Sequence, residues 1–325
     1  MHVIVTGGGG FIGRKLVAEL LRRGELDIGE GPQSITTVEA VDVPAAATPP
    51  SDDTRYHFRA GDLSNRGFVD GLIGQGVDAV FHLAALASGG AEADFDLGMA
   101  VNLTGTMNLL AAMRDNAPGK RVVFSSTVAA FGGAMPPVLT DETPCRPQGS
   151  YGSQKAMCEL LLNDYRRRGF VDGRALRLPT VVVREGAPNT AASSFMSNII
   201  REPTAGEATV CPVPPETAMW VLSPDRVVDA LIHAMELEPA AWEPFSTVNL
   251  PGLTVTVQEA LDALEAVAGP EARGLVTFDV QENIMKLVRT WPFAFETPRA
   301  LAMGFKPDGN FREIVEQHQR AMGRD

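Results

Sequence analysis

Tyr151 and Lys155 stand four residues apart in Tyr151-Gly152-Ser153-Gln154-Lys155. The apolar spacing of Tyr151 to Arg168 predicts a helix, so both side chains lie on one helix face. They draw on scarce residues: the chain has 3 tyrosines, and its 28 basic residues are 23 arginines and 5 lysines. A free phenol has a pKa of about 10 and is a weak base at neutral pH. A neighbouring ammonium favours the phenolate; lowering the pKa by about 2–3 units takes roughly 3–4 kcal/mol of differential stabilisation. Just upstream, the predicted strand Arg121 to Ser125 runs into Ser126 and Thr127. These hydroxyls fall at the carboxyl edge of a sheet, where open α/β proteins place ligands. Thr127 is the candidate to orient a substrate oxygen beside Tyr151. Such parts suit removal of a proton from an alcohol while hydride leaves its carbon.

A hydride needs an acceptor, and the N-terminus offers a place for one. Thr6-Gly7-Gly8-Gly9-Gly10-Phe11-Ile12-Gly13 lies between an apolar run, His2 to Val5, and a helical pattern, Phe11 to Arg23. In that context, among Gly7, Gly10 and Gly13, one glycine makes a tight turn, one lets backbone approach a pyrophosphate, and the last lets the helix pack on the strand. The helix N-terminus, opening at Phe11 and Ile12, presents free N–H groups to phosphate. Asp42 ends the second predicted strand, Thr37 to Asp42. A carboxylate there accepts from ribose hydroxyls and repels a 2′-phosphate, which predicts NAD as the cofactor in preference to NADP. Asp42 lies further from Gly13 than the usual spacing of about 20 residues. A surface excursion over Gly24–Ser34 accounts for the excess.

Further predicted strands are Tyr56 to Ala60, Ala79 to Leu83 and Ala175 to Val183; further helices are Phe68 to Leu72, Ala100 to Arg114, Ser223 to Glu236, Val257 to Val267 and Phe311 to Met322. Alternation of this kind predicts an α/β fold: a Rossmann-type doubly wound parallel sheet with a smaller C-terminal substrate lobe. Residues 1–184 form the expected NAD-binding domain, with helix 223–236 returning to it. Residues 185–222, broken by Pro188, Pro203, Pro212, Pro214 and Pro215, and 237–325 form the expected lobe.

The 325 residues suffice for about two domains. With 40 acidic against 28 basic residues the net charge is −12, which disfavours nucleic-acid partners. Cys145, Cys158 and Cys211 are too few and too scattered for a disulfide framework or a zinc site. His82 falls in a buried strand and reads as a core histidine, and the other histidines do not cluster with acids, so no metal is expected. Without a run of 18 apolar residues or a basic leader, the expectation is a cytoplasmic protein with no membrane partner.

These pieces together resemble the extended short-chain dehydrogenase/reductase superfamily, home to many nucleotide-sugar epimerases and dehydratases. The matching residues are Thr6–Gly13, Asp42, Asp62-Leu63, His82-Leu83-Ala84-Ala85, Asn102, Ser125–Thr127 and Tyr151/Lys155. The resemblance implies Thr127, Tyr151 and Lys155 as the catalytic set. It places Gly7, Gly10, Phe11, Ile12, Gly13, Asp42, Asp62, Leu63, Ala84, Ala85, Asn102, Tyr151, Lys155 and Pro179 at NAD. It also implies a homodimer through helices 100–114 and 151–168.

Two departures argue against a nucleotide-sugar substrate. Thr180 stands where those relatives commonly carry an Asn, and Thr217 to Ser223 holds no cation to grip a diphosphate. A narrower resemblance, to the D-erythronate dehydrogenase branch, lies in Leu178 to Arg184, Pro188-Asn189, Ala191 to Phe195 and Ile199 to Pro203. Glu185 departs from it, standing where a proline is expected. The branch implies oxidation of a short sugar acid at C2. Its carboxylate suits a bidentate clamp by Arg184, and Ser126, Thr127, Tyr151, Asn189 and Ser193 are the other candidate substrate ligands. Arg177, inside an apolar strand, reads as a structural ion-pair partner. Two rivals stay open: a nucleotide-sugar epimerase or dehydratase with a modified grip, and a non-catalytic NAD-binding sensor.

Overall fold

A computed structural model describes residues 1–46, 52–74, 76–186 and 192–323. In chain order its strands are β1 (His2–Thr6), β2 (Glu25–Asp27), β3 (Pro32–Ser34), β4 (Thr37–Asp42), β5 (Tyr56–Ala60), β6 (Ala79–His82), β7 (Arg121–Thr127), β8 (Asp172–Leu178), β9 (Thr180–Val181), β10 (Thr209–Cys211), β11 (Ala218–Leu222), β12 (Thr247–Asn249), β13 (Leu253–Thr256) and β14 (Val276–Phe278). The helices are α1 (Phe11–Arg23), α2 (Arg66–Leu72), α3 (Ser88–Ala93), α4 (Phe95–Gly98), α5 (Gly105–Asn116), α6 (Ser150–Arg167), α7 (Phe195–Ala205), α8 (Pro224–Glu236) and α9 (Val257–Gly274), followed by Glu282–Val288, Pro298–Ala302 and Phe311–Ala321. The chain divides into two compact units. One comprises Met1–Ala130, Gly149–Arg177 and Val228–Asn249; the other comprises Phe131–Gln148, Leu178–Val227 and Leu250–Asp325.

The first unit is built on a seven-stranded sheet of order β12-β8-β7-β6-β1-β4-β5. β1 runs parallel to both β4 and β6, β4 to β5, β6 to β7, and β8 to β12. Val3, Ile4 and Val5 are fully buried, as continuous apolar strands of a two-sided parallel sheet must be. Strand order reverses at β1, so its carboxyl end is the switch point of the sheet. Helix α1 buries Leu16, Val17 and Leu20, and stops at Gly24, whose φ of +71° is left-handed. The excursion expected before β4 is an antiparallel hairpin, β2 with β3. The continuous helix expected over 100–114 is instead α4, a π-helical turn over Met99–Thr104, and α5. Such wide turns recur at functional sites, and this one carries Asn102.

The strand expected over 175–183 is likewise two. β8 ends at Leu178 and β9 begins at Thr180, because Pro179 has no N–H to give a ladder. In the second unit, β11 pairs antiparallel with β13 and parallel with β9, while β10 pairs with β14. Its core gathers Val182, Phe195, Ile199, Val221, Leu261 and Ile314. The proline-broken reading of 185–222 missed α7, whose Pro203 falls in the last turn. α9 opens with a capping box between Thr256 and Glu259 and kinks at Gly269, φ +86°. Among the described residues no helix is long and apolar enough to cross a membrane.

Candidate active site

The glycine loop closes over the carboxyl end of β1. Gly7, φ +72°, donates its N–H to the Val41 carbonyl at 2.8 Å, and the Gly10 N–H donates to the Gly7 carbonyl at 3.0 Å. A side chain at Gly7 would put its Cβ 2.6 Å from the Ala84 nitrogen; one at Gly13 would lie 2.0 Å from the Gly7 oxygen. Only glycine lets α1 come this close to the loop. Gly10 caps α1 in extended conformation without a side-chain hydrogen bond, so the amides after it, at Phe11 and Ile12, open the helix uncapped. Asp42 accepts from the Gly9 N–H at 3.0 Å and the Val43 N–H at 2.8 Å, which sets its carboxylate against the same loop. Asp62 closes a turn onto the Ser64 N–H and hydroxyl, and Asn108 holds the Leu63 carbonyl at 2.9 Å. The Ala84 N–H meets the Thr6 hydroxyl at 3.4 Å; Ala85 follows it, exposed. This arrangement fits a dinucleotide: a cradle that a Cβ would fill, uncapped amides, and an acid beside them.

Strand β7 and helix α6 bring the candidate side chains together. Tyr151 is half-buried in the first turn of α6, and its ring centroid lies 5.8 Å from Lys155 Nζ. Lys155 is buried, donates to the Ser125 carbonyl at 2.8 Å and stands 4.4 Å from the Phe124 ring centroid. Burial pulls its pKa from 10.5 down to about 8. Thr127 accepts the Ala129 N–H through Oγ1 at 3.1 Å, a bond that does not use its hydroxyl proton. Ser126 turns its hydroxyl inward instead, onto Glu159. Glu159 in turn pairs with Arg177 through two guanidinium nitrogens, Nη2 at 2.7 Å and Nε at 3.0 Å, which gives Arg177 the structural pairing expected of it.

His82 is the core histidine expected. Thr106 gives its hydroxyl proton to the Asn102 carbonyl at 2.6 Å, so His82 Nε2 donates to Thr106, at 2.9 Å, and Nδ1 accepts from Thr6, at 2.7 Å. Burial depresses its pKa to about 3. Asn102 clamps the backbone after β6: it accepts the Leu86 N–H at 2.7 Å and donates to the Leu86 carbonyl at 3.0 Å. It also donates to Gln154 Oε1 at 2.7 Å, tying that loop to α6. The sequence reading missed Glu159 and Gln154. Glu159 lies a second step of four beyond Tyr151, but that spacing alone does not show its partners, Ser126 and Arg177, which are distant in sequence.

In the second unit, Pro179 separates β8 from β9, and a Cβ on Gly252 would lie 3.2 Å from its ring. Arg184 follows β9; its N–H donates to the Ser197 hydroxyl at 3.1 Å and its carbonyl accepts from Arg201 at 2.8 Å. Ser193 sits in the short turn before α7. Asn189 lies outside the described residues. Phe131 and Trp220 both pack on Phe295, at 5.6 and 5.3 Å. No group of three or more metal-ligating His, Cys, Asp or Glu side chains converges among the described residues.

A profile of the NAD dependent epimerase/dehydratase family matches residues 3–240. A D-erythronate dehydrogenase of Cupriavidus necator is 48% identical over 99% of both chains, and one of Haemophilus influenzae 43% over 98% of both. A crystal structure described as a nucleoside-diphosphate-sugar epimerase from Agrobacterium tumefaciens superposes with a TM-score of 0.93 at 40% identity, covering 100% of this chain and 95% of that one. The glycine cradle, the Asp42 carboxylate and the Tyr151–Lys155 helix sit on a parallel Rossmann-like sheet, and the chain belongs to the NAD dependent epimerase/dehydratase family.

Proposed function

We propose that this protein is an NAD-dependent dehydrogenase that oxidises the C2 hydroxyl of D-erythronate to the 2-keto acid. The identity of 43–48% to two D-erythronate dehydrogenases, over nearly the whole of each chain, carries this reading. NAD, when bound, supplies the hydride acceptor. Gly7, Gly10 and Gly13, with the amides at Phe11 and Ile12, hold its phosphates, and Asp42 holds the adenosine ribose. Asp62, Leu63, Ala84, Ala85 and Pro179 complete its surroundings, while Asn102 holds the loop that carries Ala84 and Ala85. Thr127 donates to the substrate hydroxyl oxygen and Tyr151 takes its proton. Lys155 keeps a positive charge beside Tyr151, which favours the phenolate. Arg184 clamps the carboxylate, with Asn189 and Ser193 on the hydroxyls. Ser126, committed to Glu159, serves the scaffold. The first unit is the cofactor domain and the second shapes the substrate. We also propose a homodimer and a cytoplasmic setting.

The epimerase description of the Agrobacterium structure favours a second reading, a nucleotide-sugar substrate. Against it, Thr217 to Ser223 carries no cation for a diphosphate. Product analysis tests the reaction. D-Erythronate with NAD is expected to give a stable 2-keto acid, trapped as its hydrazone and identified by mass spectrometry. A 3-keto acid, which loses carbon dioxide, or no product at all contradicts the assignment.

A further inference from the structure

Helix α6 presents Tyr151, Lys155 and Glu159 at successive steps of four, hence along one face. Two of the three are tied to consecutive residues of β7: Lys155 donates to the Ser125 carbonyl, and Glu159 accepts from the Ser126 hydroxyl. The next residue is Thr127. Glu159 is 5% exposed, and Arg177 of β8 grips it through Nε and Nη2. Arg177 also donates to Asn249 of β12 at 3.2 Å. Three elements of the first unit, α6, β7 and β8, thus meet at one buried carboxylate that the proton transfer itself does not use, and β12 is tied to it through Arg177.

We propose that Glu159 and Arg177 are a positioning pair for Tyr151 and Lys155: their balanced charges keep Lys155 protonated, and their hydrogen bonds fix the end of β7 that carries Thr127. This rests on the reading that Tyr151 and Lys155 move the proton. The groups facing Lys155 are the Ser125 carbonyl and Phe124 ring of β7, the His82 imidazole of β6, and Tyr151, Cys158 and Glu159 of its own helix. His82 is neutral, held between two threonine hydroxyls. Burial raises the Cys158 pKa, so it remains a neutral thiol at pH 7. Glu159 is therefore the formal negative charge near Lys155, and Arg177 is the positive charge that balances it. Removing either one unbalances the site in opposite senses.

The test is the pH profile of kcat/KM for D-erythronate with Glu159→Gln, Arg177→Gln and the double variant, with thermal melting of the ligand-free proteins against pH as a second readout. In Glu159→Gln the uncompensated guanidinium disfavours the Lys155 ammonium and favours the phenolate, so the profile moves to lower pH by about one unit. In Arg177→Gln it moves up by about one unit. The double variant restores the wild-type position. Equal loss of rate in both singles with an unmoved profile means a purely structural pair and overturns the proposal. Because a broken buried pair can unfold a protein, Glu159→Asp, which keeps the charge on a shorter arm, is measured too. Its profile is expected in place, with kcat lowered severalfold and KM for NAD unchanged; a moved profile or a wild-type kcat overturns the positioning role. Tyr151→Phe, run alongside, separates the two layers: turnover retained there defeats the base assignment, whereas an unmoved profile with Tyr151→Phe inactive defeats only the pair.

Discussion

Lys155 is an ammonium buried to 1% exposure, with one carbonyl acceptor and an aromatic ring over it. Desolvation lowers its pKa from 10.5 to about 8, which leaves it mostly charged at neutral pH. The depressed value has a consequence for stability. Between about pH 8 and 10.5 the folded protein has released this proton while the unfolded chain still holds it, so rising pH stabilises the fold. The gain is about 3 kcal/mol, complete above the unfolded value and lost as pH falls through about 8. Urea unfolding of the ligand-free protein beside Lys155→Met is expected to show the wild type gaining on the variant across that window. A difference independent of pH would contradict it. Burial pulls the pKa of His82 down to about 3, so its imidazole is neutral at pH 7. At this scale the sequence was informative because Tyr, Lys and Gly are chosen for chemistry that few other residues supply. Glu159 and Gln154 were illegible because their partners, Ser126, Arg177 and Asn102, are distant in sequence and meet them only through the fold.

Elements carry those residues with different degrees of legibility. α1 over Phe11–Arg23, β4 over Thr37–Asp42 and β5 over Tyr56–Ala60 match the sequence expectation at both ends, and Gly24 bounds the first of them. The π-turn over Met99–Thr104 was invisible because one extra residue in a turn leaves the apolar pattern nearly intact. α7 was masked by Pro203, read as a breaker although it sits where the helix is ending anyway. The approach of α1 to the glycine loop is the contact most exposed to a test. In Gly13→Ala the new methyl meets the Gly7 oxygen at 2.0 Å and the Gly8 Cα at 2.8 Å, both backbone atoms that cannot step aside. α1 must then lift from the loop, at a cost of about 1–3 kcal/mol. NADH affinity by fluorescence titration is expected to fall at least about tenfold, with a lowered melting temperature; unchanged affinity would remove the loop from the cofactor site.

At the scale of the whole molecule, a net charge of −12 repels an anionic substrate, so recognition of a sugar acid needs a local cation, which is the part given to Arg184. The proposed homodimer can be tested at the exposed apolar residues of the first unit: Met107 on α5, and Met157 and Leu160 on α6, are 48, 40 and 75% exposed. Light scattering is expected to give about twice 34.7 kDa for the wild type and a monomer for Leu160→Glu; a monomeric wild type would end the dimer proposal. The most direct measurement is the initial rate of NADH formation, by absorbance, with purified protein, NAD and D-erythronate, set beside L-threonate, D-threonate and a UDP-sugar. NAD reduction selective for D-erythronate is the predicted result. No reduction with D-erythronate by a protein that binds NAD, or turnover of the UDP-sugar instead, would contradict the account.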